Sequence, residues 1–206
     1  MMLTSHIFLR LLLITPCCLA QLPSATARNT NAQRGKVEVE TKEVKARTLK
    51  LKIPEDWKEQ KTTSNMRAAQ FALPDDVQLV IFYFGGPTGG IKANIDRWIG
   101  QFEDKDLKLE MKTGKCKAGT YIVVDCQGTW KKPDGPPFAR KTVSTPNSRV
   151  INVILVEELE DKKEDYYFFK MSGAEKAVAK HVKHLRMSIG AEASKEKKFE
   201  LEDAKN

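Results

Sequence analysis

The segment Val77 to Phe84 reads Val-Gln-Leu-Val-Ile-Phe-Tyr-Phe, with Gln78 as its one strongly polar side chain. An apolar run of this length, rich in β-branched and aromatic residues, suits a central strand buried on both faces. Met66 to Leu73 is a second strand candidate, and Pro74-Asp75-Asp76 between the two is a strong turn signal, so the pair is predicted to form a hairpin. Leu49, Leu51 and Ile53 alternate with Lys50 and Lys52, a strand with one wet face that Pro54 stops. Leu107 to Thr113 and Tyr121 to Thr129 are further strand candidates. Val150 to Val156 and Tyr166 to Met171 read as a second hairpin joined by a charged loop at 157–165. Pro133, Asp134-Gly135, Pro136 and Pro137 predict a rigid surface loop over 130–140.

Two segments carry a helical period instead. Ile91, Ile95, Trp98, Ile99 and Phe102 form one apolar stripe after the glycine-rich stretch 85–90. Val178, Val182, Leu185 and Ile189 form another, opened by Ser172 or Gly173 and ended by Gly190. Strands, helix, strands, helix with hairpin-type links predict an α+β domain, an antiparallel sheet flanked by helices.

The two ends read differently. Ile7 to Ile14 is a short apolar run interrupted by Arg10 and broken by Pro16, and Cys18-Leu19-Ala20 supplies small residues before Gln21. This predicts a signal peptide over 1–20 and a secreted or periplasmic protein. Cys17 follows Pro16 and Cys18 follows Cys17, which disfavours a lipid anchor. The run is too short for a membrane span, and no second stretch approaches that length, so the cleaved chain is expected not to be transmembrane. Residues 21–43 are predicted to be a flexible leader, although Val37, Val39 and Val44 alternate weakly enough to allow an edge strand. The folded domain is then 44–190, followed by a charged, disordered tail over 191–206.

The formal net charge of the 206 residues is +8. Basic residues gather at 42–61 and 131–149, where they allow weak contact with an anionic surface. Export sets nucleic acid aside as a partner.

Candidate chemistry is sparse. The glycines at 85–90 resemble a phosphate loop, but Gly90 is followed by Ile91-Lys92-Ala93, and no G-x-G-x-x-G occurs. A turn is the better reading. His181 and His184 sit on adjacent sides of the last helix with no third ligand identifiable by spacing, so no metal is expected, and no cofactor either. Cys116 and Cys126 survive signal cleavage; an oxidising compartment permits a disulfide between them, and two buried thiols are the alternative. Asp125 stands out as a carboxylate inside an apolar strand.

Four strings carry a resemblance. They are Pro54-Glu55-Asp56-Trp57, Met66-Arg67-Ala68-Ala69-Gln70-Phe71, Ala93 to Phe102 and Tyr167 to Gly173. Together they resemble a group of uncharacterised exported bacterial proteins with an Asn-Ile-x-Arg-Trp-x-x-Gln-Phe signature, here Asn94 to Phe102. The element order over residues 48–190 also resembles the PsbP/Mog-type α/β/α sandwich. The resemblance implies a binding or assembly module without a shared catalytic constellation. Two readings of the signature stay open. Arg97 ties its helix to a neighbour such as Asp125 or a strand carbonyl, or Asn94, Arg97 and Arg67 line a ligand groove. The expected function is a non-enzymatic, extracytoplasmic binding or accessory module whose partner is an unknown protein or envelope component. The alternative is a hydrolase or isomerase using carboxylates or Cys126.

Overall fold

The computed structural model describes residues 39–62, 64–86, 89–135, 141–159 and 163–203. The expected signal peptide, most of the expected leader, and Cys17 and Cys18 lie outside the described residues. Strands β1 (Thr41–Ala46) and β2 (Leu49–Pro54) form a hairpin of their own. The remaining strands are β3 (Lys58–Glu59), β4 (Arg67–Leu73), β5 (Val77–Phe84), β6 (Lys108–Lys115), β7 (Gly119–Pro133), β8 (Thr142–Glu158), β9 (Glu164–Ala174) and β10 (Lys197–Lys198). They make one eight-stranded sheet in the order β10-β6-β7-β8-β9-β5-β4-β3, antiparallel throughout. Two α-helices, α1 (Ile91–Ile99) and α2 (Glu175–Ser188), pack on it.

The helix-flanked α+β sandwich expected from the sequence is therefore not what the chain forms. Strand accounts for 54% of the structure and helix for 20%, and the sheet dominates. The cause is strand length. β7 runs through to Pro133, into the segment expected to be a rigid loop, and β8 starts at Thr142, well before the Val150 expected from the sequence. Pro133 is tolerated because it ends β7, and Pro146 because it lies where the β7–β8 register shifts. The β7–β8 register shifts between Gly128 and Trp130, where β8 supplies the extra residue near Pro146 and Asn147. Asn147 takes the left-handed conformation (φ 52°), which asparagine adopts more readily than most residues.

Alternation along each strand divides the core in two. One face carries Phe71, Leu79, Ile81, Tyr121, Val123, Ile151, Val153, Phe169 and Met171, all buried. The β1–β2 hairpin covers it with Leu49, Leu51 and Ile53, and α2 covers it with Ala177, Val178 and Leu185. The other face carries Ile122, Val124, Cys126, Trp130, Val150, Ile154 and Phe168, against which α1 packs Ile95 and Trp98. β5 contributes to both, as its apolar run predicts.

Both ends of the described segment differ from expectation. β1 begins at Thr41, inside the segment expected to be leader, because Val44 and Ala46 close the hairpin over the core. The sequence predicts a frayed tail from Ala191, yet residues 191–203 are built onto the fold. β10 pairs with β6, Phe199 is buried, and Glu196 is clasped by Arg186 at 2.7 and 3.0 Å. One aromatic and one well-placed carboxylate anchor a segment whose overall composition looks solvated. Among the described residues no helix is long and apolar enough to cross a membrane.

Candidate functional site

Helix α1 is nine residues long and stops at Gly100. It covers only part of its sheet face, and the uncovered part is a cavity of about 500 Å³. Phe82 and Phe84 of β5 and Phe168 of β9 line its apolar part, with Met66 at one side. Phe84 and Trp98 each meet Phe168 edge-on, with ring centroids 5.4 and 6.0 Å apart. Such aromatic packing gives a stiff apolar lining.

The α1 side contributes Asn94, Arg97, Trp98 and Gln101. All four belong to the signature string. Ile95 and Phe102 of the same string are buried in the packing beneath, together with much of Trp98. Asn94 Nδ2 donates to the Gly90 carbonyl (2.8 Å), holding the first turn closed. Arg97 Nη2 donates to Asn94 Oδ1 (2.7 Å) and stays exposed at the rim.

Two polar side chains interrupt the apolar strands beneath. Asn152 of β8 and Lys170 of β9 face each other directly in the β8–β9 register, and both line the cavity. Asn152 is 1% exposed, and its Oδ1 has no hydrogen-bond partner among the described residues. A buried unpaired acceptor of this kind costs about 1–3 kcal/mol. Lys170 is half-buried. Its Nζ donates to Gln101 Oε1 (3.2 Å) and lies 4.8 Å from the centre of the Trp130 ring. Desolvation, and after it repulsion from Arg97, pulls the Lys170 ammonium down to about 8. Lys170 and Arg97 make no ion pair with a carboxylate among the described residues.

Of the residues singled out from the sequence, Asn94 and Arg97 meet at this wall. Arg67 is nearby but does not line the cavity: its guanidinium stacks over Phe82, 5.9 Å from the ring centre, and donates to Gln70 Oε1 (2.6 Å). Asp125 is elsewhere. It points to the α2-covered face, where Arg149 Nε and Nη2 grip its two oxygens at 2.9 and 2.5 Å. A tie between Arg97 and Asp125 is thus replaced by one between Arg149 and Asp125, because one residue along β7 switches faces.

Cys126 is fully buried on the α1 side, and burial, then the Asp125 carboxylate, pushes its thiol up to about 12. Cys116 packs against the opposite core, and both cysteines are free thiols. The sheet itself separates them. Cys126 and Asp125 also face opposite ways, so the thiol and that carboxylate are not assembled into one site. His181 is buried edge-on to Trp57 at 5.9 Å, with Nε2 3.3 Å from the Pro74 carbonyl oxygen. Burial and then His181 hold His184 below the ordinary histidine value.

Sequence reasoning missed Lys170, Asn152, Phe82 and Phe168. The signal was present: a lone lysine in Tyr166–Met171 and a lone asparagine in Val150–Val156, each breaking an otherwise apolar face. A scan against protein-family models and a search of curated proteins each return no match for this chain.

Proposed function

We propose that the chain is an exported, non-enzymatic binding module, and that its ligand is a small molecule whose apolar body fills the cavity under α1. The observation that carries this reading is the cavity itself: a volume of about 500 Å³ walled by Phe82, Phe84, Trp98 and Phe168. Small-molecule sites are concave, largely apolar and furnished with a few converging polar groups. Arg97, Gln101, Asn152 and Lys170 converge here in that manner. The signal-like segment 1–20 supports placement outside the cytoplasm. The string Asn94 to Phe102 supports membership of the exported bacterial group it resembles, and that string supplies the helical wall of the cavity.

The test is binding of N-phenyl-1-naphthylamine, an uncharged apolar fluorophore, to the full chain. Saturable one-to-one binding is expected. It should be abolished by Gln101→Trp, which fills the cavity, and unchanged by Met187→Trp, an exposed position on α2. Binding that does not saturate, or that Gln101→Trp leaves intact, refutes the reading.

A further inference from the structure

We infer that the ligand is an amphiphile with a monoanionic carboxylate head, held by Lys170 and Arg97, and that the head carries a hydroxyl or N–H donor matched to Asn152. This rests on the reading of the cavity as a binding site and specifies what that site selects.

A lysine on an apolar strand face is normally displaced to the surface or paired with a carboxylate, because a desolvated ammonium is costly. Lys170 does neither. Its contacts are the neutral Gln101 oxygen and the Trp130 ring. The neighbouring cation, Arg97, likewise donates to a neutral oxygen, that of Asn94. Two cations thus converge on one cavity and repel one another, without a compensating acid among the described residues. Both retain unused donors, since an ammonium has three N–H groups and a guanidinium five. A carboxylate seated between them would relieve the repulsion and accept from both. One desolvated cation with the second at the rim matches a single negative charge better than a phosphate dianion.

Asn152 adds a second requirement. It stands directly across from Lys170, and its Oδ1 is a buried acceptor without a donor. An anionic oxygen cannot satisfy it. A hydroxyl or N–H adjacent to the carboxylate can. The aromatic lining from Phe82, Phe84, Phe168 and Trp98 then takes a flat or aliphatic body.

Calorimetric titration of the full chain with three probes tests this: 2-naphthoate, methyl 2-naphthoate and 3-amino-2-naphthoate, which keeps one N–H free when the other bonds to its own carboxylate. The acid is expected to bind at least tenfold more tightly than its ester. That preference should fall below threefold in Lys170→Met and persist in Lys170→Arg, which keeps the charge. The aminonaphthoate should gain a further severalfold, and Asn152→Leu should remove that gain alone. If ester and acid bind equally, the anionic head is wrong while the cavity reading stands. If the acid preference is unaltered by Lys170→Met, the assignment of Lys170 is wrong. If none of the three binds, both this inference and the reading beneath it fall.

Discussion

The two faces of the sheet solve the same packing problem differently. Under α2 and the β1–β2 hairpin, two carboxylates are buried in ion pairs, and a third, Asp165, accepts from the Tyr83 hydroxyl. Asp125 is held by Arg149, with side chains 6% and 16% exposed, and Glu196 by Arg186, at 1% and 14%. Under α1 the half-buried cation Lys170 has no acid, and Asn152 Oδ1 and the Trp130 indole N–H lack partners among the described residues. The α2 side has one such atom, Trp57 Nε1. A face that pairs its charges is arranged for stability. A face that leaves a desolvated cation and a buried acceptor unpaired is less stable than it could be, a pattern associated with sites that meet a ligand.

The contrast is most exposed to test on the closed face, by removing one partner of a pair. Arg149→Met leaves Asp125 buried and uncompensated, and is expected to cost about 3–5 kcal/mol in urea unfolding. The double variant Asp125→Leu/Arg149→Met should recover most of that loss. A single variant with wild-type stability would mean the pair is solvated and the faces are alike.

Aromatic truncation gives the next largest effect. Phe71 is fully buried on the closed face, so Phe71→Ala should cost about 4 kcal/mol. Phe168 already borders open space, so Phe168→Ala should cost about half as much. Equal losses would argue that the α1 face is packed as tightly as the other.

The smallest effect has the opposite sign. Lys170→Met is expected to stabilise the chain at pH 7 by on the order of 1 kcal/mol, since it removes an unpaired charge that is desolvated but only half-buried. The pH dependence follows from the lowered value. A lysine in the unfolded chain keeps its proton to about 10.5, whereas folded Lys170 releases it near 8. Between these limits the unfolded state binds more protons, so wild-type stability should rise with pH from about 8 to about 10.5. Below 8 the full penalty applies. Urea midpoints measured across that window should show the rise in the wild type and lack this contribution in Lys170→Met. Parallel curves would contradict the desolvated cation.

Much of the architecture is legible in the residues themselves. The β4–β5 and β8–β9 hairpins follow from Pro74-Asp75-Asp76 and from two apolar runs, and the α1 stripe from the spacing of Ile91 to Phe102. The proportions of strand and helix are not. The loop expected over 130–140 is shorter than its turn residues suggest, because Trp130 to Pro133 stay in β7, paired with Thr145 to Thr142 of β8. Tertiary pairing overrides local preference there. The tail misleads for a related reason. Composition averages over Lys195 to Asp203, but Glu196, Phe199 and the pairing of β10 with β6 anchor it. Half of the cavity is legible, because Asn94, Arg97, Trp98 and Gln101 lie close together in one helical string. The other half comes from β5, β8 and β9. Asn152 and Lys170 belong to different strands, and only register brings them opposite each other.

The three tryptophans allow one direct test of the claim that the ligand site is confined to the α1 face. Trp98 lines the cavity, Trp130 lies beneath Lys170, and Trp57 is buried on the far side of the sheet. Their indole N–H resonances can be followed while the full chain is titrated with N-phenyl-1-naphthylamine. The expected result is a saturable shift of the Trp98 and Trp130 signals with Trp57 unmoved. A shift of Trp57 alone, or of none of the three, would contradict the account.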